Sequence, residues 1–392
     1  MFCWRRYAKF PSCDYLVNAR GGTSPADPGA PGSPTWRSVL AGPVIAVITV
    51  VAALLATHAA DVPFRDPDHV VGKRLAMVVG LVLLLVVLDV VVRAAWRSRT
   101  LAPSRASMRR VRRERWTRRR GVAVGSALLG FYVTYLAYRN LKSIVPLLRP
   151  SESFDHQLAD FERGLFGGND PAELLHTLLG TGVVAEVLAV VYVIFIFFLP
   201  ISLALALVFS PDLQGGIFYA TALSINWALG AACYFLLPAV GPIYAAPAGF
   251  ADLPATEVSR LQGMMLDQRT QFLRDPAAAD AAQNIAAFAS LHISMIFTAA
   301  LAAHMLGLGQ RLRIGLWILL ALSAIATIYL GWHYVVDDLA GLLIGLIALA
   351  LARSLTGFQP GTARPPRTPR PSPLRPARAA AALMRGARQT RP

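Results

Sequence analysis

The sequence predicts an all-α integral membrane protein with about eight transmembrane helices. Composition is the first reason: 55% of the 392 residues are hydrophobic and 15% are charged, whereas about 25% charge is usual in soluble domains. Run length is the second, because a helix needs ~20 apolar residues to cross a bilayer core about 30 Å thick. The third is that basic residues collect in segments outside the apolar stretches, as in cytoplasmic loops.

Eight apolar stretches have a suitable length: residues 39–59, 75–96, 121–141, 183–209, 216–237, 290–308, 314–332 and 334–351. They divide the chain into five predicted parts. In chain order these are a cytoplasmic leader at 1–38, two extra spans at 39–96, a basic cytoplasmic loop at 97–120, a six-helix core at 121–355 and a Pro/Arg-rich cytoplasmic tail at 356–392. The compositions of the leader and the tail predict disorder.

The net charge of +16 is concentrated in the 97–120 loop and the tail. The positive-inside rule places both in the cytoplasm, and eight spans then return both termini to that side. Residues 150–180 and 239–287 are consequently expected on the external or luminal face. The basic segments indicate a contact with anionic lipid at a plasma membrane or an equivalent endomembrane, and not a nucleic-acid partner.

Neither redox chemistry nor a cofactor is indicated. The three cysteines form no CxxC pattern and suggest no disulfide: Cys3, Cys13 and Cys233. A zinc site is a minor alternative, because the candidate ligands include no cysteine and no HExxH pattern: His292, His333, Asp337 and Asp338.

Ionisable residues in or beside membrane spans tend to mark function, because their insertion is costly. Six fall at the predicted external ends of spans: Lys142, Arg149, His292, His333, Asp337 and Asp338. A transport pathway should instead place such groups at several depths. The clustering at one face favours an enzyme over a lipid or ion transporter, which remains the alternative of a different class.

His333 precedes Asp337 by four residues, which places both side chains on one helix face. The carboxylate can then accept the Nδ1 proton and leave Nε2 free as a nucleophile. Asp338 is turned about 140° from His333 and is the weaker partner. A purely structural His/Asp hydrogen bond is the alternative for this pair taken alone.

Two further elements suit a phosphate. Ser290 and His292 open the sixth span, where a helix N-terminus can bind an oxyanion and the histidine can protonate a leaving oxygen; a simple helix cap is the alternative. Lys142 and Arg149 end the third span and can bind phosphate oxygens. Interfacial snorkelling is the alternative for these two cations.

Taken in order, three motifs resemble those of the type 2 phosphatidic acid phosphatase superfamily of membrane phosphatases and phosphotransferases: Lys142-x6-Arg149-Pro150, Ser290-Leu291-His292 and His333-x3-Asp337. The resemblance covers roughly residues 121–351 and implies that the last six spans form the helical core of that superfamily. It also implies a phospholipid or polyprenyl phosphate substrate.

The resemblance implies a role for each matching residue. His333 would form a phosphohistidine, Asp337 would orient it and His292 would protonate the leaving group. The remaining three would bind phosphate: Lys142, Arg149 and Ser290.

Departures from the family pattern point to one branch. Ala289-Ser290-Leu291-His292 stands where Pro-Ser-Gly-His is usual, and Ala326-Thr327 replaces a Ser-Arg pair. These features resemble the inositol phosphorylceramide synthase branch, which transfers a phosphoinositol head group. Plain hydrolysis of a lipid or polyprenyl phosphate stays open, with Arg139 or Arg269 as a substitute for the missing arginine.

Two amphipathic external segments lie between spans of this core, at residues 154–179 and 256–273. Apolar residues alternate with charged ones in both, as in helices that lie on a membrane surface. Gating of lipid entry and a plain surface role are both open for them.

Overall fold

A computed structural model describes residues 35–210, 212–277 and 283–360, which form helices and turns without strands. The predicted leader, up to residue 34, and the tail from residue 361 lie outside the described residues. Thirteen α-helices follow in order: α1 (Trp36–Ala59), α2 (Val70–Ser98), α3 (Arg105–Arg115), α4 (Arg118–Leu148), α5 (Asp155–Leu165), α6 (Pro171–Leu179), α7 (Val183–Phe209), α8 (Leu213–Leu236), α9 (Pro242–Ala245), α10 (Glu257–Arg274), α11 (Leu291–Met305), α12 (Gln310–Tyr329) and α13 (Val335–Thr356).

Within the described residues, seven helices are long and apolar enough to cross a membrane: α1, α2, α4, α7, α8, α12 and α13. The predicted class, an all-α membrane protein, is confirmed. The predicted span at 290–308 is shorter than expected, since α11 has 15 residues. At 1.5 Å per residue it is about 22 Å long, less than the ~30 Å of a bilayer core.

The chain just before α11, where the predicted span would need to be longer, is not helical. Residues 283–287 are without regular structure, and three of them line a cavity, Asn284, Ile285 and Ala286. Irregular backbone at membrane depth is tolerated where it is enclosed by protein or lines a cavity. The short helix therefore fits a site built into the bundle.

Contacts between helix ends divide the bundle into two faces. On one face, Arg65 N donates to Asn140 Oδ1 at 3.0 Å and His176 Nε2 donates to Tyr329 O at 2.8 Å. We call this the site face. It carries α5, α6, α9 and α10.

The opposite face joins the other ends of the same spans. Arg120 Nη2 donates to Val208 O at 3.2 Å, and Gln214 Nε2 donates to Thr356 O at 3.1 Å. The start of α4 thus lies beside the end of α7, and the start of α8 lies beside the end of α13. His304 also lies here, where its Nε2 accepts a hydrogen bond from Trp317 Nε1 at 3.0 Å.

The basic segment 97–120 contains the amphipathic helix α3, attached to α2 on the opposite face. The attachment centres on Asp89, which is 2% exposed. Its carboxylate accepts hydrogen bonds from Arg93 Nε and Arg115 Nε, both at 2.7 Å. A buried carboxylate needs such charged partners. The bond from Arg115, the last residue of α3, therefore holds α3 against α2 on the opposite face.

Candidate active site

His333 lies in the connection between α12 and α13, where the backbone turns sharply. Gly331 has φ of +73°, a conformation that favours glycine. A Cβ at this position would also lie 2.7 Å from the Phe250 ring. Ile243 N donates to Gly331 O at 2.9 Å, so α9 fixes the backbone just before the histidine.

Two carboxylates of α5 hold the other side of this connection. Tyr334 OH donates to Asp155 Oδ1 at 3.1 Å, and Val335 N donates to Glu162 Oε2 at 2.8 Å. Asp155 also accepts a hydrogen bond from Val240 N at 2.9 Å. Burial raises the pKa of Glu162 to about 7, and the hydrogen bond from Val335 opposes that shift.

The amphipathic pattern of this segment was apparent from the sequence, but a role for these two acids was not predicted. Asp155 and Glu162 are 5% and 3% exposed. Their signal was available, since the two residues are seven apart and therefore share one face of a helix. Acids on the buried face of an amphipathic helix indicate a polar partner beneath it.

The predicted histidine and aspartate come together. His333 Nδ1 lies 3.4 Å from Asp337 Oδ2, and the same oxygen accepts a hydrogen bond from Tyr334 N at 3.0 Å. His333 lies outside both flanking helices; burial, and secondly the charge of Lys142, lower its pKa to about 3. A neutral imidazole keeps a lone pair for nucleophilic attack.

Asp338 points to a different partner. Its Oδ2 accepts a hydrogen bond from Thr327 Oγ1 at 3.0 Å, and the Ser290 hydroxyl lies near the same carboxylate. Thr327, the residue predicted to replace the family's arginine, thus donates a hydrogen bond to Asp338. Ser290 is fully buried, and its backbone N–H donates to Asp337 O at 3.0 Å.

His292 faces His333, with ring centroids 5.8 Å apart. Its ring packs against Tyr192 and Phe195, with centroids 4.6 Å and 4.3 Å away. Close packing of α11 on α13 brings the two histidines together: a Cβ on Gly341 would lie 2.4 Å from Ser290 O. Only glycine allows that approach.

Lys142 lines the same cavity as this pair. Its Nζ lies 5.0 Å from the ring centroid of Tyr234 and 6.0 Å from that of Tyr138. Its charge interacts with both imidazoles. Within the described part of the chain no carboxylate lies within ion-pair distance of it.

Arg149 is placed apart from the histidines. Its guanidinium pairs with Glu152 and also donates to Phe235 O. It does not line the cavity that contains the two histidines. Of the two cations predicted to bind phosphate, the structure therefore places only Lys142 at the histidine pair.

The two arginines considered as substitutes also differ in position. Arg139 lines the cavity, and its Nη1 lies 3.4 Å from Asp66 Oδ1. Arg269 donates to Gln283 Oε1 at 3.2 Å and does not line it. Arg139 is therefore the better placed of the two.

The cavity has a volume of about 660 Å³. Aromatic and aliphatic side chains form most of its wall, and no Asp or Glu is among the described lining residues. Its ionisable nitrogen groups belong to five side chains: Arg74, Arg139, Lys142, His292 and His333. No group of three or more His, Cys, Asp or Glu in the described residues could hold a metal ion. The cavity suits an anion with an apolar chain.

These features define a class: a helical membrane protein in which two histidines and a lysine share an otherwise largely apolar cavity. The sequence model of the PAP2 superfamily matches residues 156–351, half of the chain. The chain belongs to the PAP2 superfamily and is a membrane phosphatase or phosphotransferase of that group. No curated protein and no solved structure matches the chain significantly.

Of the six residues predicted to act in catalysis or phosphate binding, the matched residues contain four: Ser290, His292, His333 and Asp337. Lys142 and Arg149 precede the match, as do α1 and α2. The cavity extends beyond the matched residues, because α2 and α4, which precede residue 156, contribute to its wall.

Proposed function

We propose that the protein cleaves a phosphate ester of a membrane lipid through a phosphohistidine on His333. Transfer of a phosphorylated, inositol-type head group to an acceptor alcohol is the favoured outcome. The observation that carries the proposal is the cavity itself, which joins both histidines and Lys142 to a long apolar wall and has no acidic lining residue among those described.

In the first half-reaction, Nε2 of His333 attacks the phosphorus atom and the P–O bond to the leaving group breaks. His292 gives that oxygen its proton, so an alcohol leaves. Lys142 stabilises the charge on the phosphoryl oxygens. Asp337 keeps the Nδ1 proton in place, which sets the tautomer in which Nε2 is nucleophilic.

In the second half-reaction, the acceptor hydroxyl loses its proton to His292 and attacks the phosphorus atom. The P–N bond breaks and His333 is restored. An acceptor alcohol gives transfer, and water gives hydrolysis of a lipid or polyprenyl phosphate, the second candidate. A volume of about 660 Å³ leaves room for an acceptor beside the phosphoryl group.

The test uses the full-length protein in nanodiscs with labelled phosphatidylinositol or phosphatidic acid, with and without ceramide or diacylglycerol. We expect an acceptor-dependent phosphodiester product, resolved by mass spectrometry. Trapping should reveal an adduct that is stable in base and labile in acid, and it should be absent in His333→Ala. His304→Ala, which alters a histidine on the opposite face, should retain the adduct.

Inorganic phosphate as the only phosphorus product, with no effect of acceptors, would exclude transfer and leave hydrolysis. An adduct that survives His333→Ala would exclude the phosphohistidine. Lipid or ion flux in vesicles that depends on His292 and His333, without any phosphorus product, would establish a transporter instead.

A further inference from the structure

We propose that α2, a helix outside the matched residues, completes the lipid site of this protein. Arg74 would bind an oxygen group of the lipid on the chain side of the reacting phosphate, and the hydrocarbon chain would leave the cavity between α2 and α7. This inference rests on the proposed function, because the lipid it describes is the substrate of that reaction.

One side of α2 forms a wall of the cavity. Five of its residues line it: Val70, Arg74, Met77, Val78 and Leu81. They follow one another at spacings of four, three, one and three residues, the pattern of a single helix face. The helix therefore presents a continuous stripe to the space that holds the histidines, with one cation in it.

Arg74 is directed at α4. Its Nη1 donates to Tyr135 OH at 2.6 Å, and the guanidinium carbon lies 5.6 Å from the centroid of that ring. No carboxylate of the described residues forms an ion pair with it. Since a guanidinium has five N–H donors, donors remain for a ligand.

The position of Tyr135 relates Arg74 to the reacting phosphate. Tyr135 precedes Lys142 by seven residues on α4, which corresponds to about 10 Å along the helix axis. Both residues line the cavity. A ligand whose phosphate meets Lys142 and the histidines would thus bring its next few atoms toward Arg74.

Beyond Arg74 the cavity reaches the exterior of the bundle. Met77 on α2 and Phe197 on α7 both line it, although they are 64% and 62% exposed. Ile201, one turn after Phe197, is likewise a lining residue and is 44% exposed. All three lie inside helices long enough to span the membrane. The opening there meets hydrocarbon and fits an acyl chain.

The chemistry specifies the ligand. It carries a phosphate at one end, a second oxygen-rich group one or two helix turns away and then a hydrocarbon chain. A glycerolipid phosphate meets this description through its ester oxygens. A polyprenyl monophosphate does not, because hydrocarbon follows its phosphate directly.

The first experiment compares Arg74→Gln with Lys73→Gln, a neighbouring exposed cation that does not line the cavity. We expect Arg74→Gln to lower kcat/KM for phosphatidic acid about tenfold, as for loss of a charged hydrogen bond. Turnover of a polyprenyl monophosphate should be unchanged. Equal losses on both substrates, or no loss on either, would refute the role of Arg74.

The second experiment does not require turnover. Phosphatidic acid with a diazirine in one acyl chain is photolysed with the protein in nanodiscs, and the adducts are mapped. We expect adducts on α2 and α7 near Met77 and Phe197, fewer in Met77→Trp and as many in Leu84→Trp, a substitution at a 64% exposed residue outside the cavity. Adducts spread evenly over the apolar surface would refute the opening.

The two experiments separate the possible failures. If no phosphate ester reacts but the adducts concentrate at α2 and α7, the proposed function fails and the lipid site stands. If phosphatidic acid reacts, Arg74→Gln has no effect and the adducts are spread evenly, the function stands and this inference fails.

Discussion

Asp337 Oδ2 lies between two partners, His333 Nδ1 at 3.4 Å and the backbone N–H of Tyr334 at 3.0 Å. Asp337 is fully buried, and the hydrogen bond from Tyr334 N holds its carboxylate beside the imidazole that it orients. Asp337→Asn should lower kcat by about 10²- to 10⁴-fold, because the amide no longer sets the imidazole tautomer. KM should change little.

The measurement is steady-state turnover of a labelled lipid phosphate by purified variants. Asp160→Asn is the control, since Asp160 is an exposed residue of α5 in surface ion pairs. Full activity of Asp337→Asn in folded protein would contradict an orienting role.

Lys142 and Arg149 should differ in effect, although the sequence motif pairs them. Lys142→Met removes the cation beside both imidazoles, and we expect kcat/KM to fall about 10- to 100-fold. Arg149→Met should change it little, because that guanidinium is paired with Glu152 away from the cavity. Equal losses in the two variants would mean that Arg149 also reaches the substrate.

Glu162 should make unfolding depend on pH. Because burial raises its pKa from 4.5 to about 7, the folded state holds this proton more tightly than the unfolded state. The free energy of unfolding therefore falls as pH rises from 4.5 to 7. Glu162→Gln removes that contribution. The free energy of unfolding of the variant, measured relative to wild type, should therefore be higher at pH 7.5 than at pH 5.

Denaturant unfolding in detergent at the two pH values measures this difference. Glu257→Gln, at an exposed residue of α10, controls for loss of a charge. A constant difference between Glu162→Gln and wild type at both pH values would contradict the prediction.

Gly341 should tolerate no side chain. A Cβ there would lie 2.4 Å from Ser290 O, so Gly341→Ala should destabilise the protein by about 1–3 kcal/mol, as overpacking does. Activity should fall as well, because α11 carries His292. Gly315→Ala on α12 has open space around it and should be neutral or stabilise by about 0.5–1 kcal/mol. Thermal unfolding of both variants tests this; equal melting temperatures would argue against close packing at Ser290.

The orientation in the membrane remains a prediction from the arginine asymmetry. Reporter fusions after Gly357 and within the 97–120 loop should be cytoplasmic, and a fusion within 239–287 should be external. A reporter after Gly357 on the external side would reverse the sidedness of the whole site.

The sequence by itself determined the class of this protein, because membrane insertion depends on local runs of apolar residues. It also predicted the His333/Asp337 pair, but not its geometry. His333 precedes α13 and does not lie on it, and Asp337 lies beside it because its carboxylate accepts a hydrogen bond from the adjacent Tyr334 N–H. The family followed from short motifs, and the PAP2 superfamily match confirmed it.

Tertiary structure decided which distant residues share the cavity. Arg74 meets Tyr135 across 61 residues of chain, and Tyr334 meets Asp155 across 179. Neither contact leaves a periodic signal, because each depends on how whole helices pack. The same holds for Lys142 and Arg149, which look equivalent in sequence. Their seven-residue separation spans about 10 Å of helix and its end, so packing leaves one beside the histidines and the other beside Glu152.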